Sequence, residues 1–243
     1  MKINKIYGII RRLVSKPIAH LVPLNRKEIE LLEYNFEFYK NLNHTDRKKY
    51  NYLIKHFKLS KSIKSSPDIL LTKYHKTFLA CVAVRLIRKI GLKHYDYINN
   101  IIIFPDKFET HEFSFKLDGV TGENGNLGLS WRTIIRGISN PVDGDCVITH
   151  EFAHAIDLKS GDFDGIPKLN SEKDEDIWDK VFIKDFQQLK YELKNLVPNI
   201  SDESELFAYL SEFFFEKPLF LKEKFPNIFI LLNKFYKEYD IEK

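Results

Sequence analysis

His150-Glu151-Phe152-Ala153-His154 constrains this chain more than any other stretch, because on an α-helix two imidazoles four residues apart lie one turn apart on the same face and can share one ion. The neighbours fit that helix. Val147, Ile148, Phe152, Ala155 and Ile156 form an apolar stripe and leave His150, His154 and Asp157 together on the other side. Both histidines can then bind one tetrahedral Zn²⁺, with Glu151 close enough to polarise a water on the metal. The plain alternative is an amphipathic helix with two solvated histidines, since short motifs arise easily. The motif is also incomplete. A catalytic zinc takes three protein ligands and keeps the fourth position for water, so a third ligand must come from elsewhere in the chain.

The remaining composition narrows the setting. A chain of 243 residues with 44% hydrophobic and 30% charged side chains is an ordinary globular protein with enough apolar material for a real core. Its formal net charge of +4 comes from lysines and acids interspersed along the chain, which gives no case for nucleic acid. The segment Met1 to Pro23 carries Arg11-Arg12 and some apolar residues but no uninterrupted run long enough for a signal peptide or a membrane span. It reads as a basic, partly helical arm, and no membrane is expected. Only Cys81 and Cys146 occur, each in an apolar context, so a disulfide scaffold is not expected and a reducing, cytoplasmic setting is. Cys146 lies one turn before His150, but three ligands on one short helix would strain a tetrahedron.

In chain order, Arg26 to Leu59 lacks glycine and proline and reads as helices, with Asn43-His44-Thr45-Asp46 as a turn carrying an N-cap. Lys58 to Pro67 is polar and serine-containing, the best linker candidate. It suggests residues 1–66 as an N-terminal helical region packed on a catalytic domain of residues 67–243. Thr72 to Lys89 keeps helical spacing and Gly91 ends it. Three β-type pieces follow, Ile101 to Pro105, Phe113 to Leu117 and Leu127 to Trp131, which predict a small mixed or antiparallel sheet just before the motif helix. The expected fold is therefore α+β and mostly helical. Downstream, Ser171 to Asp179 reads as an acidic solvated segment, Asp202 with Glu205 as a capping box opening a helix through Phe215, and Leu219 to Tyr239 as a terminal helix.

Three sources compete for the third ligand. The metzincin pattern fails, because the positions that would hold its glycine and its third ligand are Asp157 and Ser160. The loop with Asp162 and Asp164 could supply an aspartate, and the Asp202 to Phe215 helix offers Glu205, Glu212 and Glu216 on the face opposite Leu206, Phe207, Leu210, Phe213 and Phe214. Among these glutamates Glu212 is favoured. It sits mid-helix with the small Ala208 one turn earlier, whereas Glu205 suits a cap and Glu216 lies against Pro218. The plain alternative for Glu212 is a surface carboxylate.

Leu129-Ser130-Trp131, the His150 to Asp157 run, Gly161 to Pro167, and the run Glu205 to Pro218 with its Ser211-Glu212-Phe213-Phe214-Phe215-Glu216-Lys217-Pro218 ending together resemble the Mlc titration factor A family of zinc-dependent peptidases. The resemblance covers roughly Thr72 to Pro218. It implies a zincin-like fold related to the catalytic domain of anthrax lethal factor, with one Zn²⁺ per chain held by His150, His154 and Glu212 and with Glu151 as catalytic base. It also implies weak aminopeptidase activity and binding of a transcriptional repressor of the Mlc type. One departure stands out. The family commonly has a tyrosine a few residues before the third-ligand helix, where this chain reads Leu196-Val197-Pro198-Asn199-Ile200. Tyr209 and Tyr191 are the candidates to replace it.

The expectation is thus a monomeric, gluzincin-type zinc metallopeptidase that hydrolyses peptide bonds with a zinc-activated water and Glu151 as general base. Asp157 and Tyr209 are expected to support the site. The competing reading is a non-enzymatic repressor-binding protein with a structural zinc, whose fourth position would be closed.

Overall fold

A computed structural model describes residues 2–110, 115–169, 171–183, 186–197 and 200–240, of which 2–7 and 183 as backbone only. The chain divides into two compact units, Met1–Arg88 with Ile98–Ile135, and Lys89–Tyr97 with Arg136–Lys243. The fold class is α+β and mostly helical, as the sequence leads one to expect.

The first unit holds helices α1 (Lys2–Leu21), α2 (Arg26–Asn35), α3 (Glu37–Lys40), α4 (His44–Ser60) and α5 (Lys73–Ile87). Local chemistry sets their starts: Asn25, Asn43 and Thr72 each accept a hydrogen bond from the third helical amide, which removes one unsatisfied donor per helix. Leu32, Tyr39, Tyr50, Ile54 and Phe57 are buried against an α5 that is apolar almost all round. Two polar devices lie inside this core. The Tyr50 hydroxyl donates to the Cys81 carbonyl at 2.6 Å, and Lys58 pairs with the buried carboxylate of Glu28, to which the Thr77 hydroxyl also donates at 2.7 Å.

The unit also carries a four-stranded mixed sheet of β1 (Ser62–Ser65), β2 (Asn100–Phe104), β3 (Gly119–Thr121) and β4 (Asn126–Ser130) in the order β1-β2-β4-β3. The β1–β2 and β2–β4 pairs are parallel and β3–β4 is antiparallel. Ile101, Ile103, Leu127 and Leu129 are buried while Ile102 is exposed, the alternation of a sheet with one covered face. Two details differ from the sequence reading. Lys58 to Pro67 contains strand β1, whose Ile63 is buried, because pairing with β2 satisfies a backbone that its serines made look like a connection. Of the piece Phe113 to Leu117, Phe113 and Ser114 lie outside the described residues and Leu117 makes an isolated bridge to Phe108; the antiparallel strand is β3.

After α6 (Trp131–Ser139), the second unit contains α7 (Val147–Asp157), α8 (Glu172–Trp178), α9 (Phe186–Leu193), α10 (Glu203–Glu216), α11 (Pro218–Lys224) and α12 (Pro226–Tyr236). Phe152, Trp178, Phe182, Phe207, Phe214 and Tyr236 fill its core. The acidic segment is helix α8, capped by the Ser171 side chain. The terminal segment is two helices rather than one, because Pro226 has no amide hydrogen to continue α11 and instead starts α12. Among the described residues, no helix is long and apolar enough to cross a membrane.

Candidate metal centre

Helices α7 and α10 pack on each other, and the approach to α7 is held by α10 itself. Gly144 adopts a positive φ of 74°, and a Cβ there would lie 2.4 Å from the Phe213 ring, so only glycine allows this close passage. Its amide donates to Glu216 Oε2 at 3.0 Å. Two residues later the Cys146 amide donates to Glu212 Oε2. Cys146 is the N-cap of α7 without a side-chain capping bond in the geometry of Asn25 or Thr72, and the Glu212 carboxylate that accepts its amide brings negative charge to the helix N-terminus. The Cys146 thiol stays neutral, with burial pushing its pKa up to about 12.

From α7, His150 and His154 turn their Nε2 atoms toward one point, 3.2 Å apart. Their Nδ1 atoms are held from behind: His150 by Glu212 Oε1 at 2.9 Å, His154 by Ser204 Oγ at 2.9 Å. Each ring is thereby fixed in orientation by the nitrogen that does not face the shared point. The carboxylate that does face it belongs to Glu205, whose Oε2 lies 3.3 Å from His150 Nε2 and whose Oε1 lies 3.3 Å from His154 Nε2. One ligand atom from each of His150, His154 and Glu205 lies within 4.8 Å of the others.

This differs from the expectation for Glu212. It is on the correct helix and face, but its carboxylate is buried behind His150 rather than at the point the two histidines share. Positions 205 and 212 are seven apart, nearly two full turns, so helical periodicity puts both on one face and cannot separate them. Glu205 also does only half of what a capping box would ask. Asp202 accepts the Glu205 amide at 3.0 Å, while the Glu205 carboxylate turns to the histidines.

The remaining expected residues are near but not equivalent. Glu151 is buried directly after His150, and its charge is felt by both His150 and Tyr209. The Tyr209 ring stands edge-on to His150 with centroids 4.7 Å apart, whereas Tyr191 lies on α9 and is 67% exposed. Asp157 is fully buried and makes no hydrogen bond to either imidazole; its Oδ2 accepts the Gly165 amide at 3.0 Å. Burial pushes its pKa up to about 6, which that amide and the nearby Ser204 hydroxyl offset only in part. Ser204, which sequence reasoning missed, is the residue that holds His154, while Asp157, expected to support the site, holds the Gly165 loop. Its signal was faint: a serine beside Glu205 in the first turn of α10. The loop after α7 returns to the site as well, with the Phe163 ring edge-on to His154 at 5.8 Å.

The electrostatics follow from these contacts. Burial disfavours charge on His150, but Glu205 and then Glu212 more than reverse this and hold its pKa well above the usual imidazole range. Glu205 is likewise partly buried, yet its bonds to His150 and His154 hold it far below the usual carboxylate range. Burial dominates for Glu212 and raises it. The point between the two Nε2 atoms and Glu205 therefore attracts positive charge. Two imidazole nitrogens and one carboxylate oxygen are the donor set that suits Zn²⁺, so these residues fit such an ion.

The profile of a family described as glucose-regulated metallo-peptidase M90 matches residues 11–237. The uncharacterized protein slr2042 of Synechocystis is 30% identical over 218 residues, covering 82% of this chain and 79% of its own. Mlc titration factor A of Pectobacterium atrosepticum is 24% identical over 191 residues, covering 70% of this chain and 71% of its own. Mlc titration factor A of Yersinia enterocolitica is 22% identical over 228 residues, covering 81% and 80%.

Proposed function

The chain belongs to the glucose-regulated metallo-peptidase M90 family, and from that premise we propose that it is a zinc metallopeptidase of gluzincin type whose ligands are His150, His154 and Glu205. The observation that carries the assignment is the Glu205 carboxylate, with one oxygen 3.3 Å from each Nε2. When bound, zinc supplies Lewis-acid charge that polarises a peptide carbonyl and acidifies water near neutral pH. The other roles belong to the chain. Glu151 takes the proton of the attacking water and returns it to the leaving amine. Glu212 and Ser204 keep the imidazoles turned so that both Nε2 lone pairs converge. Tyr209, beside His150, is the donor for the oxyanion that develops on the carbonyl, a part the family commonly gives to a tyrosine absent from this chain's Leu196 to Ile200.

The finer reading is an aminopeptidase-like enzyme of the cytoplasm. The name carried by the Pectobacterium and Yersinia relatives supports an Mlc-type repressor as partner. The test is hydrolysis of a peptide library by zinc-loaded protein, with Glu151→Gln as control. We expect cleavage by the wild type and a loss of at least ~10² in the variant at unchanged zinc content. Equal cleavage by both proteins, or none by the wild type at full zinc occupancy, would overturn the assignment.

A further inference from the structure

Helix α1 packs the wrong way round for a core helix. The residues it buries are small: Gly8, which lies against the Asn99 side chain, and Ser15 and Ala19; the helix packs on α4, where His20 stacks on Tyr52 at 4.1 Å. Its large aliphatic residues point away. Ile9, Ile10, Leu13, Val14, Ile18 and Leu21, and Val22 just after the helix, are all exposed, Leu13 by 66% and Leu21 by 80%. They are seven of the eighteen large hydrophobic side chains exposed among the described residues, gathered into fourteen consecutive positions, so this is a patch rather than normal scatter.

On a helical projection the six of these residues that lie within α1, Ile9 to Leu21, cover about half of the cylinder, and exposed cations stand just beyond its two edges, Arg11 on one and Lys16 on the other. Arg12, half-buried, is turned to the Asn99 side chain instead. The sequence has no acidic residue before Glu28. An apolar face of this width with cations on both flanks and no acidic residue in its own segment matches a surface that is greasy below and negative above. That is the boundary between acyl chains and phosphate head groups. Twenty residues give a helix about 30 Å long, but α1 is too charged to cross a bilayer, so it would lie in the plane.

We infer that the outward face of α1 is a docking surface for an anionic phospholipid bilayer, with the aliphatic row sunk between lipids and Arg11 and Lys16 at the phosphates. The test is flotation of the full-length protein with vesicles of phosphatidylcholine alone and of phosphatidylcholine mixed equally with phosphatidylglycerol. The expected result is at least roughly tenfold more protein on the anionic vesicles at low salt. Leu13→Gln with Leu21→Gln should abolish binding, and Arg11→Gln with Lys16→Gln should reduce it to the level on neutral vesicles. All four side chains point outward, so circular dichroism and thermal unfolding of both variants should match the wild type. Absence of binding to either vesicle would overturn the inference. So would a wild type that self-associates in light scattering, is dispersed by the leucine variant and ignores lipid, which would make the face a contact between copies.

Discussion

Glu205 and Glu212 address opposite nitrogens of one imidazole: Glu205 Oε2 lies 3.3 Å from His150 Nε2, and Glu212 Oε1 lies 2.9 Å from His150 Nδ1. One helix thus supplies the group in front of the ring and the group behind it. Glu212 additionally accepts the Cys146 amide, so the carboxylate that orients His150 also caps the helix that carries it.

The two glutamates should therefore separate on mutation. Glu205→Ala removes one of the three proposed ligands and should leave the protein without zinc after dialysis. Glu212→Gln keeps a hydrogen-bond acceptor behind His150 and should retain zinc, with affinity lowered roughly 10- to 100-fold in competition with a chelator. The reverse pattern would return the third-ligand role to Glu212.

Tyr209 and Tyr191 make a second pair with different fates. Burial, then Glu205 and Glu212, push the Tyr209 hydroxyl well above the usual phenol range, so it stays protonated as a donor. Tyr209→Phe should lower kcat by about 10²-fold at unchanged zinc content and nearly unchanged KM, the signature of a bond made in the transition state. Tyr191→Phe, on an exposed side chain, should have no effect on either constant.

The Glu28–Lys58 pair gives a pH prediction. Burial alone would raise the Glu28 pKa, but Lys58, the Asn25 amide and Thr77 hold it at about 2 against an ordinary 4.5, while burial pulls Lys58 below its usual range. A carboxyl depressed in the folded state stabilises fully above its unfolded pKa and loses that contribution as pH falls through the folded one. Glu28→Gln should therefore cost about 3 kcal/mol at pH 7, where it strands a buried ammonium. The gap to the wild type should narrow between pH 4.5 and pH 2 in denaturant titrations.

Gly165→Ala tests the loop after α7. Gly165 has a φ of 74°, and a Cβ would sit 2.5 Å from the Glu203 carbonyl, at the first residue of α10. Its amide and carbonyl are both taken, by Asp157 and by the Trp178 indole at 2.9 Å, so it cannot simply move aside. The substitution should destabilise the zinc-free protein by about 1–3 kcal/mol in thermal unfolding. Zinc affinity should weaken too, because Ser204 and Glu205 follow the displaced residue directly. A variant with wild-type unfolding and affinity would mean that loop and helix are not coupled.

Much of this protein was legible in the chain itself. The spacing of His150 and His154 pointed to a helix, the apolar stripe around them to its packing against a core, and Asn43, Asp202 and Pro218 marked element ends by local chemistry that needs no distant partner. The downstream helix and its acidic face were legible for the same reason. What periodicity specifies is the direction of a side chain around its own axis; it carries no information on how far one helix is slid along another. That offset of α10 against α7 decides that Glu205 rather than Glu212 lies in front of the imidazoles, and it results from packing such as the passage of Gly144 under Phe213. The same limit applies to α1: the sequence reads as a basic, partly helical arm, and only the packing on α4 decides that Ser15 and Ala19 turn inward while the aliphatic row stays exposed. It applies also to Ser62 to Ser65, which becomes a strand only because β2 lies beside it to take its hydrogen bonds. Local sequence determines the elements and their faces; tertiary packing alone decides which faces meet and at what offset.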